Sequence, residues 1–543
     1  MSLHLTRRRT VLVGATVAVG ALLAACSGTA ASEESTGGQP SQGGTLEVGF
    51  SEDIENYDPH QRPQLTARTI SRQIADTLTD QDPDTGEILP WLAESWDIND
   101  DSSEFTFHLR EGVTFSDGST LDAEAVAANF DRIVELGPLA YVGAGLLRNY
   151  DGSVAVDEDT VTVSFTEPNA QFLQATAVQS LSILAPATLE LDPEEVAAGD
   201  VIGSGPFVLD AYDPNEGITL TAREDYAWGS PLYENRGRAY VDEVHVSFIP
   251  EPTTLAGAVA SGQVDYGYVL AASTVPTLEA AGAQVVTTQM PAIAIPVVPL
   301  LHQEIVQDVN VRRALSLATD RQAIVDSVFE GRVSSATGVL STTNPGYVDL
   351  SDQLAYEVDG AIALLEESGW DQIGTDGIRT NAEGDRLSLE VQYVSGSGDT
   401  ELMLQLLQQQ WARAGIEFVL TPVTAAESSE YTIHDSPADV STWSQTRADP
   451  DVLRTVYSSF YENQSFLFGH ADAEVDALLD ELQRTIDQQD RLEISEQVQH
   501  LLLARGYTVP IYDRVQFAGA ADGVTGVHTD LEGKPLLVDV SLG

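Results

Sequence analysis

An α/β fold is what this 543-residue sequence predicts, because short segments with period-two alternation are interleaved with longer segments of helical spacing. A second observation is size: after an N-terminal polar tract, about 500 residues remain, enough for two or three domains with substantial cores. A third is that no internal repeat and no second polar tract interrupts them.

The N-terminus reads first. Arg7, Arg8 and Arg9 form a positive region, and Val11 to Leu23 are almost wholly apolar, the anatomy of an export signal over residues 1–25. The apolar run is too short to span a bilayer. Thr6-Arg7-Arg8-Arg9-Thr10-Val11-Leu12 is similar to a twin-arginine motif, which leaves the twin-arginine and general secretory routes both open. Cys26, the only cysteine, closes Leu23-Ala24-Ala25-Cys26 where a bacterial lipoprotein precursor is cut and lipidated. A buried core thiol is the competing reading, and the small flanking residues argue against it. Residues 26–42, rich in Ser, Thr, Gly and Glu, have the composition of a lipidated flexible tether that buries no core. The expected address is the outer face of the cytoplasmic membrane. With Cys26 used for lipid no disulfide forms, so stability must come from the core.

Charge excludes some classes. The chain has 84 acidic and 26 basic residues and a net charge of −58, which loss of the three signal arginines takes to −61. Such a surface repels nucleic acid and anionic headgroups. Lys534 is the single lysine. Acidic excess with so few lysines matches salt adaptation or high-GC coding bias, and both concern habitat.

In chain order, Thr45-Leu46-Glu47-Val48-Gly49-Phe50 alternates as a half-buried strand. Phe105-Thr106-Phe107-His108-Leu109 does the same, and Phe115-Ser116-Asp117-Gly118-Ser119 reads as a turn. Residues 121–136 have helical spacing, with Asp122 as N-cap and Val126, Phe130, Ile133 and Val134 on one face. Residues 160–165, 218–221 and 244–249 read as strands. Residues 308–318, 320–330, 400–414, 471–486 and 490–504 read as helices, the third stopped by Gly415.

Motifs for chemistry are absent from the sequence. It contains no G-x-S-x-G, H-E-x-x-H or C-x-x-C, Gly143-Ala144-Gly145 lacks the third glycine of a dinucleotide fingerprint, and Glu532-Gly533-Lys534-Pro535 is no phosphate loop. The nine histidines lack metal-ligand spacing. No catalytic residue, metal or cofactor is expected.

A series of segments in register carries a resemblance. They are Gly43-Gly44-Thr45-Leu46 with Tyr57-Asp58-Pro59, Pro90-Trp91-Leu92-Ala93-Glu94-Ser95-Trp96, and Phe105 through Gly118. Gly203-Ser204-Gly205-Pro206-Phe207, the strand 241–250, Gly262-Gln263-Val264-Asp265 and Asp308 through Leu315 continue the order. Together they resemble the family 5 solute-binding proteins of ABC importers, the dipeptide, oligopeptide and nickel binders. The resemblance implies a two-lobed periplasmic-binding-protein-like fold of type II with a subdomain inserted in the first lobe. Lobe I would be residues 43–62, 203–288 and 508–543, the insertion 63–202 and lobe II 289–507. Chain crossings near 289–292 and 506–510 would let the lobes close on a solute by hinge motion. The implied partners are two permease subunits with cytoplasmic ATPases, and the protein itself is expected to be a monomer.

For the ligand, the resemblance points to Trp443-Ser444-Gln445-Thr446-Arg447-Ala448-Asp449-Pro450-Asp451. Dipeptide-binding relatives carry an aspartate at the position of Thr446 that neutralises the peptide ammonium. A buried ammonium without a counter-charge is costly, so the expected solute is a peptide or peptide-like compound with a blocked or absent free amine. Arg447 is a candidate for an anionic group, or else a structural arginine paired with Asp449 or Asp451. Trp443 is a candidate for apolar contact or for ordinary core packing. Tyr57, Tyr266 and Tyr268, on loops after strands, together with Thr446 and Asp449 of this segment, complete the expected pocket. A nickel-chelate, opine-like or oligosaccharide ligand is the alternative, although His470 does not match the nickel binder's histidine position. A sensor or peptide-pheromone receptor without transport is the alternative of another class.

Overall fold

Three larger sheets organise the described part of the chain. The computed structural model describes residues 40–543 except 52–53, 55, 62–63, 214–216, 396–397, 429–433 and 461–464. The expected signal segment, Cys26 and the tether up to residue 39 lie outside the described residues.

The first sheet has seven strands in the order Gln284–Gln289, Val515–Ala520, Tyr266–Leu270, Thr45–Phe50, Glu243–Phe248, Gly217–Ala222 and Phe207–Asp213. Thr45–Phe50 lies parallel to both of its neighbours. Its alternation buries Leu46 and Val48 in a core shared with Val244 and Val246. Gly217 closes the hairpin between the last two strands at φ 108°, and a side chain there would sit 1.9 Å from the Val246 carbonyl oxygen.

Four antiparallel strands, Ala93–Ile98, Glu104–Leu109, Thr160–Phe165 and Tyr150–Ala155, make a second sheet within the segment inserted between strands of the first. Phe172 fills its core, edge-on to Phe105 at 5.0 Å and to Phe165 at 4.8 Å. Helix Ala123–Leu136 covers this sheet and starts where the Asp122 carboxylate accepts the Ala125 N–H at 2.8 Å. Val126, Phe130 and Ile133 are buried as the periodicity predicts, but Val134 is 41% exposed, since one further residue turns about 100° off the packed face.

The third sheet has five strands, Glu417–Val423, Ser388–Val394, Val440–Ser441, Ile295–Pro299 and Val509–Tyr512. Helices Val309–Leu317 and Arg321–Val328 begin at Asp308 and Asp320, whose side chains accept backbone N–H groups, and helix Gly398–Ala412 is followed by Gly415 at φ 81°. Helices Ala473–Arg484 and Gln488–Ala504 complete this half.

The glycines of Gly203-Ser204-Gly205 are explained by close approach. A β-carbon on Gly203 would stand 2.0 Å from the Ile74 carbonyl oxygen, and one on Gly205 would stand 2.5 Å from the Ile74 carbonyl carbon. Here the chain returns against the end of helix Leu65–Ile74, donating the Gly205 N–H to the Ile74 carbonyl at 3.0 Å.

Between the seven-stranded and five-stranded sheets the chain passes through residues 290–294 and residues 513–514. The two passages are tied together: Met290 N–H donates to the Arg514 carbonyl at 2.9 Å, and Gln289 donates to the Asp513 carboxylate at 2.7 Å.

Candidate binding cavity

A cavity of about 910 Å³ opens beside these passages. Its wall takes Val269, Leu270 and Ala271 from the seven-stranded sheet, Ile295, Tyr512 and Thr442 from the five-stranded sheet and its neighbourhood, and Tyr141, Val142 and Leu146 from the inserted segment. That size and mixed lining suit a small organic solute.

Two local devices build the wall. On strand Tyr266–Leu270 the register slips between Tyr268 and Leu270, and Val269 adopts φ 58°, a strained conformation for a β-branched residue. The bulge turns Val269, Leu270 and Ala271 onto the cavity. Opposite, segment 443–447 is fixed to the first passage by Ile293 N–H to the Gln445 carbonyl at 3.0 Å, Arg447 N–H to the Pro291 carbonyl at 2.8 Å and Ser444 Oγ to the Ile293 carbonyl at 2.6 Å. Trp443, Thr446 and Arg447 thereby line the cavity.

The other expected site residues lie elsewhere. Tyr57, Tyr266 and Tyr268 do not line the cavity and are 3%, 1% and 0% exposed. Tyr57 packs against Tyr212 at 4.9 Å, and Tyr266 stacks on Tyr268 at 6.4 Å within the core of the seven-stranded sheet. Residues two apart on a strand share one face, and that face is packed, so the wall begins only at the bulge after them. Asp449 is also outside the lining; it pairs with Arg491 and caps the next turn through Asp451 N–H at 2.7 Å. Trp443 lines the cavity, and its ring meets Phe466 edge-on at 5.7 Å.

Charge inside the cavity differs from charge on the surface: three arginines, Arg68, Arg447 and Arg514, face two acids, Asp399 and Glu532. Arg68 Nη1 donates to both carboxylate oxygens of Glu532 at 2.9 and 2.8 Å, and Glu532 also takes Lys534. Burial alone would raise the Glu532 pKa, and the two cations outweigh it and hold the carboxyl well below the usual range. The lone lysine thus belongs to a buried ion cluster, with Asp530 at 2.9 Å. Arg447 lies 3.8 Å from Asp451, a carboxylate already gripped by Arg454 at 2.8 and 2.9 Å. Arg514 donates to the Ser444 carbonyl at 3.4 Å, and burial lowers its pKa. Burial raises the pKa of Asp399, which accepts the Ala272 N–H at 3.3 Å from the opposite wall.

Arg68, Asp399, Tyr512, Arg514 and Glu532 are lining residues that sequence reasoning missed. Only Tyr512-Asp513-Arg514 carried a local signal, a polar break between two apolar stretches. Among the described residues no group of three or more His, Cys, Asp or Glu is placed to hold a metal ion, and no helix is long and apolar enough to cross a membrane.

Further contacts join the halves around the cavity. Arg332 grips Glu279 with two bonds of 2.9 Å, Ala170 N–H donates to the Gln483 carbonyl at 3.0 Å, and Arg484 reaches Glu167 at 3.2 Å.

Comparison with known proteins agrees with this architecture. The oligopeptide-binding protein AppA of Bacillus subtilis, solved with a nonapeptide, superposes with a TM-score of 0.79 at 21% identity over 93% of this chain and all of that one. NikA of Brucella suis, solved with Fe(III)-EDTA, gives 0.80 at 21% identity over 92% of this chain and all of its own. The fold is therefore the two-lobed α/β fold of periplasmic binding proteins. In sequence the chain is 26% identical over 490 residues to heme-binding protein A of Haemophilus influenzae, covering 84% of each. It is 24% identical over 485 residues to the dipeptide-binding protein of Escherichia coli, covering 84% of this chain and 87% of that one. The model of bacterial extracellular solute-binding proteins, family 5, matches residues 87–466, and the chain belongs to that family.

Proposed function

We propose that this protein is the solute-binding component of an ABC importer, which captures a peptide or peptide-like solute in the cavity and delivers it to a membrane permease. The observation that carries the reading is the cavity of about 910 Å³ placed against the two hydrogen-bonded passages between the sheets. Lobes 43–62 with 203–288 and 508–543, and 289–507, are taken to close over it, with 63–202 as the insertion. A solute drives closure only by binding the closed form better. Relatives named for dipeptides support a peptide, and Thr446 in the wall offers no carboxylate for an ammonium at that position. Trp443 supplies apolar contact area. The protein acts without chemistry on its solute, as a monomer, with two permease subunits and their ATPases.

A thermal-melt screen of the mature chain in detergent against two-to-five-residue peptides tests the reading. A bound solute at a hundredfold excess over Kd raises stability by about 2.7 kcal/mol. With a hit in hand, Trp443→Ala is expected to weaken binding about tenfold while unfolding stays cooperative. Unchanged affinity removes Trp443 from the site, and chemical turnover of the hit ends the pure-binder reading.

The lipid on Cys26 is proposed to hold the protein at the outer face of the cytoplasmic membrane. Cys26→Ala is expected to move the protein from the membrane fraction to the soluble fraction, and retention in the membrane would reject the anchor.

A further inference from the structure

Two opposite charges in the cavity lack an ion-pair partner among the described residues. Among the described residues no carboxylate forms an ion pair with Arg514, which donates to the Ser444 carbonyl at 3.4 Å. The acid acting on it, Glu532, is already held by Arg68 and Lys534. Likewise no cation pairs with Asp399, which accepts one backbone N–H, from Ala272 at 3.3 Å. Burial raises the pKa of the Tyr512 hydroxyl, with the Asp399 charge adding to that rise and the Arg514 charge opposing it. All three residues line the same cavity, and Phe329 packs on the Tyr512 ring at 4.6 Å to hold it in place.

Arg514 and Asp399 are half-buried, and a half-buried charge without an ion partner gains from a ligand that supplies one. We propose that the cavity recognises a zwitterionic solute, its acidic group against the Arg514 guanidinium and its basic group against the Asp399 carboxylate. Guanidinium and carboxylate suit each other as a two-bond fork. Arg514 lies in the second passage between the sheets, and Asp399 reaches across to Ala272, so both charges sit where closure is felt. The inference rests on reading this cavity as the solute site. It replaces the ammonium position that Thr446 vacates with one on the helix Gly398–Ala412.

The experiment is calorimetric titration of the full mature chain in detergent with one peptide hit in four forms: free, N-acetylated, C-amidated and doubly blocked. Blocking either end is expected to weaken binding by about 10- to 100-fold. Arg514→Gln is expected to weaken the free form by a similar factor and leave the amide form nearly unchanged. Asp399→Asn is expected to do the same for the free and acetylated forms. Equal binding of all four forms, or equal losses on blocked and free forms in both variants, overturns the proposal while leaving the peptide reading intact. If no peptide binds, the peptide reading fails by itself. The same test then runs with free amino acids and N-carboxyalkyl amino acids beside their singly charged analogues. Preference for the zwitterions, lost in Arg514→Gln, upholds the proposal; preference for singly charged or neutral solutes, or silence from every probe, rejects it.

Discussion

Arg72→Met is expected to destabilise the protein by about 3–5 kcal/mol, read from urea denaturation of variant and wild type. Arg72 is 1% exposed and its guanidinium is 2.6 Å from the Asp80 carboxylate and 3.5 Å from that of Asp530. It also lies over the rings of Trp91 and Tyr233 at 5.2 and 5.5 Å. Methionine fills much of the volume but leaves Asp80 and Asp530 buried with fewer counter-charges. Asp80 retains Ser230 as a donor and Asp530 retains Lys534, so the loss is of a charge partner within a surviving network. Removing both ends of the closest pair, Arg72→Met with Asp80→Leu, is expected to cost less than the two single changes added, since no unmatched charge remains between them. A single-variant cost under about 1 kcal/mol would show that the pair contributes like a surface ion pair.

The second large effect is a pH dependence centred on Asp76. This carboxylate is fully buried, accepts the Trp228 indole N–H at 2.9 Å and the Tyr226 hydroxyl at 3.4 Å, and has its pKa pushed up to about 7 by burial despite those donors. The unfolded group loses its proton near 3.8, so between about pH 4 and 7 the folded state binds the extra proton. Stability from this group therefore falls as pH rises through that window, by on the order of 4 kcal/mol in total. Asp76→Asn keeps an acceptor for Trp228 and cannot ionise. It is expected to be more stable than wild type at pH 8, with the difference shrinking toward pH 5. A difference that does not change with pH would mean that Asp76 titrates normally in the fold.

His60 works in the opposite direction. Arg132 can only donate, so the imidazole Nδ1 accepts from it at 2.7 Å and Nε2–H donates to the Ser182 carbonyl at 2.9 Å. Burial first, and Arg132 after it, lower the His60 pKa to about 4 against the pull of Asp58. Its contribution is complete above about pH 6.5 and is lost as pH falls through 4. The Asp76→Asn comparison with wild type isolates Asp76 because His60 is common to both chains.

Much of the architecture was legible one element at a time. Strand Thr45–Phe50, the turn at Gly118 and the caps Asp122, Asp308 and Asp320 follow from alternation, backbone freedom and side-chain acceptors, all properties of a few adjacent residues. Segment 443–447 was legible as cavity wall only through family resemblance, and Trp443, Thr446 and Arg447 do line it. Tyr266 and Tyr268 were not separable from Val269 by any local signal, because which residue of a strand faces a cavity depends on a bulge set by pairing with Val515–Ala520.

The sequence by itself determined the α/β class, the family and the absence of familiar catalytic motifs, since these reside in short-range pattern and ordered landmarks. Tertiary structure alone decided the charge of the cavity. Whether an arginine is spent on a neighbour depends on distances between residues far apart in the chain: Arg68 finds Glu532, Arg72 finds Asp80, Arg491 finds Asp449, and Arg514 finds no carboxylate among the described residues. Coulomb energy depends on separation in space and on burial, neither of which composition or spacing encodes.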